Sequence, residues 1–297
     1  MSDILDESAI TELQRRLLNW WAVHGRDLPW RASRDPWAVL VSEAMLQQTQ
    51  VARVVDRWER FLDRFPTVTA CAAARRGDVV DEWSGLGYNR RAVSLHRAAQ
   101  ECVERFDGAL PTHLDDLQSL PGIGPYTARA VLVFAHEADI GLVDTNAGRF
   151  VARALAGGPV TPKVAQVAAD AAVPSSAGWS WGQAVFDLGA TVCTKRSPRC
   201  VECPIVDQCA WATAGHPLPD PVEGSAGISG PQSRFEGSDR QGRGRLVAAL
   251  REGTVSDDEL ASVMGWAGED DRARRVASSL VRDGLVVHEL GRWDLPG

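Results

Sequence analysis

Apolar residues recur at intervals of three and four along most of the first 190 residues, and this spacing predicts a series of amphipathic helices. The predicted helices cover residues 8–21, 36–48, 51–65, 67–83, 91–106, 114–120, 126–137, 145–156, 162–173 and 181–190. The alternation of apolar and polar residues that is typical of strands is not convincing anywhere before residue 284. The pattern therefore predicts that the first 215 residues are all-α.

The pattern changes after residue 215. Residues 216–230 are rich in Pro, Gly and Ser, a composition typical of a linker. Beyond it, helices are predicted at 244–251, after the capping-box sequence at 256–259, and at 271–282, followed by strands at 285–290 and 292–295. Three helices and a β-hairpin favour a small winged-helix-like α/β domain at 235–297.

The helix predicted at 36–48 is apolar on nearly every side and should therefore be buried. Glu43 lies in the middle of it, and a lone carboxylate there is costly to bury unless it is paired or takes part in chemistry. A salt bridge to an arginine such as Arg26 or Arg31 is the alternative to a catalytic role. The uncharged polar run Gln47–Gln50 ends the helix and is suited to hydrogen bonds with base edges.

The segment Leu120–Asn146 begins with Pro-Gly-Ile-Gly-Pro, which cannot be helical, and continues with a helical pattern. Both Gly122 and Gly124 are expected to adopt positive φ and to leave bare N–H groups at a helix N-terminus, where a DNA phosphate would fit. Asp144 follows the apolar run Ile140–Val143, where a carboxylate can be held partly desolvated. The alternative is a helix-turn-helix connector with a glycine-rich turn and an aspartate cap.

Four of the six cysteines, Cys193, Cys200, Cys203 and Cys209, are spaced C-x6-C-x2-C-x5-C. In a reducing cytoplasm such crowding favours metal ligation over disulfides. Four thiolates in one short loop can surround a tetrahedral zinc or a cubane iron–sulfur cluster, and the spacing does not choose between them.

The composition, 44% hydrophobic and 24% charged, is typical of an ordinary soluble protein. No apolar run approaches the roughly 20 residues of a membrane span, and the acidic start is unlike a secretory signal, so a cytoplasmic location is predicted. The net charge of −7 argues against nucleic-acid binding driven by bulk charge. A local phosphate-facing strip remains possible from six arginines: Arg26, Arg31, Arg34, Arg90, Arg91 and Arg199.

Residues 10–212 resemble the endonuclease III superfamily of DNA glycosylases. The resemblance rests on LPGIG with its following helix, on Asp144 at the expected distance, and on the cysteine loop, which in that family carries a [4Fe–4S] cluster. HGRDLPWR at 24–31, SEAMLQQTQV at 42–51, GLGYNRRA from Gly85 and VDTN at 143–146 resemble the MutY-type adenine glycosylase branch. The resemblance implies a mostly α, two-domain helix-hairpin-helix fold: 1–25 with 137–212, and 26–136, followed by a linker at 213–234.

The resemblance also implies the site residues. Glu43 would be the general acid and Asp144 would stabilise the sugar cation, with Tyr126 and Asn146 beside the sugar. A flipped adenine would be held by Trp30, Arg31, Leu46 and Gln183, with Arg26 and Thr49 also in the substrate-binding set, while Gln48 and Tyr88 would probe the opposite base. Bifunctional relatives have a lysine at the position of Tyr126, so strong lyase activity is not expected here.

The leading hypothesis is thus a monofunctional, monomeric glycosylase, cytoplasmic and associated with the nucleoid, that acts on duplex DNA with adenine opposite 8-oxoguanine or guanine. Many MutY-type enzymes end in a larger Nudix-like domain that helps recognise 8-oxoguanine, and the pattern for it is not found in residues 235–297. The alternatives are a glycosylase of the same fold for another lesion, such as an oxidised pyrimidine, and a non-catalytic iron–sulfur DNA-binding regulator.

Overall fold

The computed structural model describes residues 7–225 and 234–296, so that residues 226–233 of the predicted linker lie outside it. Over the first part, the α-helices are α1 Glu7–His24, α2 Pro36–Leu46, α3 Val51–Arg64, α4 Val68–Ala73, α5 Arg76–Glu82, α6 Arg90–Arg105, α7 Leu114–Ser119, α8 Pro125–His136, α9 Thr145–Phe150, α10 Pro162–Ala171, α11 Gly178–Thr191 and α12 Ala210–Thr213. The prediction of a mostly helical chain is confirmed. No helix in the described ranges has the length and apolar character needed to cross a membrane.

The second part contains α13 Asp239–Glu252, α14 Leu260–Met264 and α15 Asp270–Arg282, with strands β1 Val255–Ser256, β2 Val287–Glu289 and β3 Arg292–Asp294. The strands form an antiparallel sheet in the order β1-β3-β2, in which Trp293 of β3 faces both Val255 and His288. The predicted three helices and terminal hairpin are present. β1 was not predicted, because two residues are too few to show a strand period.

The chain divides into two compact units, one from the N-terminus to Pro36 and from Gly124 to Gly230, the other from Trp37 to Ile123 and from Pro231 onward. The first unit has a core around α1, α9, α10 and α11, in which Leu13, Leu17 and Leu188 are fully buried. In the second unit the rings of Phe61 and Trp83 meet edge to face, with centroids 5.9 Å apart.

Two predicted helices differ from the structure. The single helix predicted at 67–83 is two helices, because the backbone is extended at Ala74 and the His96 ring hydrogen-bonds the Ala74 carbonyl at 3.0 Å. The helix predicted at 244–251 begins earlier, at Asp239, where the Ser238 hydroxyl accepts from the Gln241 amide. Gly242 lies in this first part of the helix, where any side chain would come within 2.2 Å of the Trp266 ring. The glycine interrupts the apolar pattern, which is why the predicted helix began too late.

Candidate active site

Asp144 is the N-cap of α9 and is held by three hydrogen bonds. Its Oδ1 accepts from the amides of Asn146 and Ala147, each at 2.8 Å, and its Oδ2 accepts from Asn146 Nδ2 at 2.9 Å. Burial raises the pKa of Asp144 above its ordinary value, and these hydrogen bonds only partly oppose that rise. The carboxylate is therefore both a helix cap and a destabilised anion, and capping does not exclude chemistry.

Asn146 fixes the Asp144 carboxylate from the other side. While its Nδ2 donates to Asp144, its Oδ1 accepts from Arg149 Nη2 at 2.6 Å, and the same guanidinium donates to the Gly189 carbonyl at 2.7 Å. A side chain at Gly189 would lie 2.7 Å from Asn146 Cβ, so this glycine lets α11 approach α9 closely. Asn146 is therefore held in one orientation by the packing of two helices.

Arg26 and Arg31 share a carboxylate that the sequence analysis missed, Asp187 of α11. Asp187 is 0% exposed and accepts from Arg26 Nε at 2.5 Å, from both Nη atoms of Arg31 at 2.8 Å, and from Trp21 Nε1 at 3.1 Å. Burial raises the pKa of Asp187, but hydrogen bonds from Arg31 and Arg26 outweigh it, and the pKa lies below its usual value. The sequence did carry one sign of this buried carboxylate, because Asp187 is the lone acid in the apolar helix predicted at 181–190.

Asp187→Asn is expected to destabilise the protein by about 3–5 kcal/mol, because it leaves two partly buried guanidinium groups without their counter-charge. The measurement is the free energy of unfolding in urea. Asp170→Asn is the control, since Asp170 pairs with Arg129 at 2.7 Å in the same unit but is 38% exposed. Equal stability losses for the two variants would contradict the role given to Asp187.

The other predicted pocket residues of the first unit are placed by α8, α11 and the helical turn Pro29–Arg31. Trp30 in that turn and Gln183 of α11 are both buried, and Tyr126 lies in the first turn of α8, with its ring centroid 6.3 Å from that of Phe186. Arg31 keeps one buried donor, Nε, for which the described residues supply no hydrogen-bond partner. That donor is suited to a bound ligand.

Glu43 of α2 is only 6% exposed, and every residue of α2 from Trp37 to Met45 is buried. The prediction of a helix buried on all sides is confirmed, and the carboxylate lies within it. Leu46, at the end of the same helix, is half-buried. The predicted cationic partners Arg26 and Arg31 are occupied by Asp187, as described above for the first unit.

Arg91 joins the two turns that carry Gln48 and Tyr88. Its guanidinium donates to the carbonyls of Ala44, Met45, Gln47, Leu86 and Gly87 and to the Thr49 hydroxyl, at distances of 2.7–3.2 Å. Burial lowers the pKa of Arg91 to about 10, so the group stays charged at neutral pH. Thr49, a predicted substrate contact, is therefore bound to Arg91, and Gln48 and Tyr88 beside it both have positive φ, 55° and 48°.

The predicted phosphate-facing strip of arginines is wrong for Arg91, whose donors face carbonyls within its own unit. The remaining five each have a carboxylate partner: Asp187 for Arg26 and Arg31, Glu137 for Arg34, Asp283 for Arg90 and Glu202 for Arg199. The Arg90 pair is the loosest, at 3.8 Å. These partners could not be predicted from sequence, because most of them lie far away along the chain.

The two hairpin glycines differ, which corrects the prediction that both have positive φ. Gly122 has φ +79°, and a side chain there would lie 2.5 Å from Ser94 Cβ, so this position requires glycine. Gly124 is the N-cap of α8, with the extended values φ −85° and ψ 176°, which any residue adopts. Open space surrounds the place where a Gly124 side chain would be, and the residue is exposed at the start of α8.

The four cysteines of the loop line one cavity of about 380 Å³ that opens to solvent, together with Phe150, Arg153 and Trp211. Cys193 follows α11, Cys200 and Cys203 flank a single helical turn, and Cys209 precedes α12. Arg153 lies beside them, with Nη1 3.4 Å from Cys193 Sγ and Nη2 2.6 Å from Asp220. Across the described residues, no three Cys, His, Asp or Glu side chains are placed to hold one metal ion.

The comparisons with known proteins agree with this fold. The family described as HhH-GPD superfamily base excision DNA repair protein matches residues 41–174. The chain is 40% identical to an adenine DNA glycosylase of Mycolicibacterium smegmatis over 95% of both chains, and 39% identical to one of Mycobacterium tuberculosis over 100% of this chain and 99% of the other.

Among solved structures, a trapped endonuclease III–DNA covalent intermediate superposes with a TM-score of 0.61 at 20% identity, over 72% of this chain and all of the other. At that identity the likeness establishes the fold alone. Because the family model matches residues 41–174 and the identity to a named relative extends over 95% of the chain, the chain belongs to the adenine DNA glycosylases of the HhH-GPD superfamily of base excision DNA repair proteins.

Proposed function

We propose that this protein is a monofunctional glycosylase that hydrolyses the N-glycosidic bond of adenine opposite 8-oxoguanine or guanine in duplex DNA. The observation that carries the proposal is the setting of Asp144, a carboxylate whose pKa is raised by burial while Asn146 and two amides fix its orientation. Such a group stabilises a cation that forms beside it more strongly than a solvated carboxylate does. The names of the relatives supply adenine as the base.

In the proposed reaction, adenine is flipped out of the duplex and Glu43 protonates its N7. The bond between C1′ and N9 breaks, and its electron pair leaves with the now neutral base. Asp144 stabilises the resulting oxocarbenium-like sugar, either as an ion pair or as a transient ester at C1′. Water then adds at C1′ and loses a proton, which leaves free adenine and an abasic site.

We assign the other predicted substrate residues according to the apolar surface or the hydrogen-bond donors that their side chains provide. Trp30 and Leu46 each offer an apolar side chain, while Gln183 and the Arg31 Nε offer donors to the flipped base, with Arg26 also in the substrate-binding set. Tyr126 and Asn146 contact the sugar. Gln48 and Tyr88 face the opposite base, with Thr49 beside them in the substrate-binding set, and the amides of Gly122 and Gly124 bind a DNA phosphate.

The second proposal concerns the four cysteines, which would hold one [4Fe–4S] cluster. The four thiols line one shared cavity, and the neighbouring Arg153 guanidinium suits the negative charge of a thiolate-ligated cluster. When bound, such a cluster would tie the two ends of the loop 193–209 together, one just after α11 and the other just before α12. Its role in this protein would be to stabilise the fold of the loop.

Purified protein is expected to be brown and to contain roughly four iron and four sulfide per chain. Cys203→Ser should lose this colour, and the iron with it, because serine is a poor ligand for iron in such clusters. Cys102→Ala is the matched control, since Cys102 is fully buried in α6 of the other unit. Colourless wild-type protein with stoichiometric zinc would contradict the cluster assignment.

We further propose that the protein acts as a monomer on duplex DNA, in the cytoplasm and at the nucleoid.

The test of function is single-turnover incubation with a duplex that contains one adenine opposite 8-oxoguanine, analysed before and after alkali. Cleavage only after alkali is expected, since Tyr126 cannot form a Schiff base. No cleavage of this duplex, of one with adenine opposite guanine, or of one with an oxidised pyrimidine would favour a binding protein.

A further inference from the structure

The Tyr88 turn is in contact with the C-terminal part of its own unit. Arg240, in the first turn of α13, donates from Nη1 to the Tyr88 hydroxyl at 2.8 Å. The two residues are 152 positions apart in sequence, so this hydrogen bond depends wholly on how residues 234–296 dock onto α5 and α6. The family match at residues 41–174 does not include this C-terminal segment.

The docking is specific, because charged side chains fix it at several points. At the far end of α13, Arg251 lies 3.1 Å from the Asp81 carboxylate and donates to the Val80 carbonyl at 3.1 Å. Asp283, just after α15, accepts from Arg243 at 2.5 Å and lies 3.8 Å from Arg90 of α6. Contacts at both ends of α13 therefore hold the helix and its Arg240 against the turn.

The turn itself needs such support. Tyr88 has φ +48°, a conformation that costs free energy for any residue with a bulky side chain, and it is 40% exposed. Arg91 binds the backbone of the turn, and its guanidinium lies 5.7 Å from the Tyr88 ring centroid. Arg240 adds a hydrogen bond at the hydroxyl, so one arginine lies over the ring and another holds its hydroxyl.

We infer that the C-terminal domain, residues 234–296, positions the Tyr88 side chain through Arg240 and thereby sets how selectively the enzyme recognises the base opposite adenine. The inference rests on the proposed function, which places Tyr88 against the opposite base. Arg240 is a positioning residue, since its guanidinium acts on the tyrosine hydroxyl. A domain unlike the Nudix-like one of other MutY-type enzymes thus contributes to the same task by orienting a residue of the catalytic region.

The first test observes Tyr88 directly in the free enzyme. The chain has two tyrosines, so ring-¹³C-tyrosine labelling of the full-length protein gives two sets of signals, which Tyr126→Phe assigns. Arg240→Ala is expected to shift and broaden the Tyr88 signals. Arg282→Ala, which removes an exposed arginine of α15, should leave them unchanged. Unchanged Tyr88 signals in Arg240→Ala would overturn the inference whatever the enzyme does to DNA.

The second test measures selectivity as the ratio of affinities for two duplexes with a non-cleavable adenosine analogue, opposite 8-oxoguanine and opposite thymine. Loss of one exposed, charge-assisted hydrogen bond is expected to lower this ratio about 3- to 10-fold in Arg240→Ala. Tyr88→Phe removes the same hydrogen bond from the other side and should lower the ratio similarly. Adding Arg240→Ala to Tyr88→Phe should then have no further effect.

Two results of the affinity measurements would overturn the inference. If the two substitutions act additively, Arg240 does not work through the hydroxyl. If Arg240→Ala weakens both duplexes equally and reduces the dependence of affinity on salt, Arg240 contacts a phosphate instead. Failure of wild-type protein to excise adenine would count against the proposed function, while the tyrosine spectra would still decide whether Arg240 holds Tyr88.

Discussion

Asp144→Asn is expected to lower single-turnover excision of adenine by at least about 10³-fold, or about 4 kcal/mol of transition-state stabilisation. The substitution keeps an oxygen that can accept from the amides of Asn146 and Ala147, so the cap of α9 is retained. What it removes is the negative charge opposite the sugar cation. The measurement is the rate of alkali-labile site formation with enzyme in excess over duplex.

The stability of Asp144→Asn should stay close to that of the wild type, although its excision rate falls. Because burial raises the pKa of Asp144, the ionised carboxylate destabilises the folded state at neutral pH relative to the protonated form. A neutral amide avoids that cost but loses the hydrogen bond that Asn146 Nδ2 donates to Asp144 Oδ2, so the Tm is expected to stay close to that of the wild type. A large fall in Tm would mean that lost folding, and not lost charge, explains the inactivity.

The pH dependence offers a further check on the same residue. If ionised Asp144 is required, wild-type excision must fall as the pH drops through its pKa, which lies above the ordinary value of 3.8. Asp139→Asn is the matched control. Asp139 also accepts from backbone amides, those of Ser176, Ala177 and Gly178, but these bonds lower its pKa. Its substitution should leave excision at the wild-type rate.

Glu43→Gln is expected to lower single-turnover excision by roughly 10²- to 10⁴-fold, the usual range for loss of a general acid. Glutamine matches glutamate in size and remains polar, so α2 should pack as before, but its amide cannot protonate adenine N7. The defect should therefore lie in the rate of bond cleavage, with the affinity for a non-cleavable duplex little changed.

Glu82→Gln supplies the control for burial. Glu82 lies in the same unit, is 8% exposed, and pairs with Arg60 at 3.2 Å and Arg64 at 3.3 Å. Its substitution should reduce stability while the excision rate stays at the wild-type level. If the two glutamine variants excise adenine equally well, Glu43 is a structural residue and the acid must be sought elsewhere.

Local patterns were enough to predict much of this molecule. The bounds of α3, α6 and α10 follow from an apolar stripe that is interrupted by Pro, Gly or a polar turn, so their prediction required no distant contact. The same holds for the burial of Glu43, since it lies among apolar residues on all sides of one helix. The cysteine spacing likewise predicted that the four cysteines of the loop lie together, because they lie within 17 positions of each other.

Other features depend on residues that meet only after folding. The break between α4 and α5 needs His96 of α6. Asp187 is bound by arginines more than 150 positions away, which no periodicity reveals.

The sequence by itself determined the helical class, the helix-hairpin-helix and cysteine motifs, and the two carboxylates that we propose as catalytic, because each is expressed in residues close together in the chain. Only the tertiary structure decided which arginines are already paired, how Arg91 holds the turns of Gln48 and Tyr88, and that Arg240 reaches the Tyr88 hydroxyl. The physical reason is that ion pairs and hydrogen bonds are chosen by distance in space. Residues far apart in sequence carry no local record of the partners that folding brings to them.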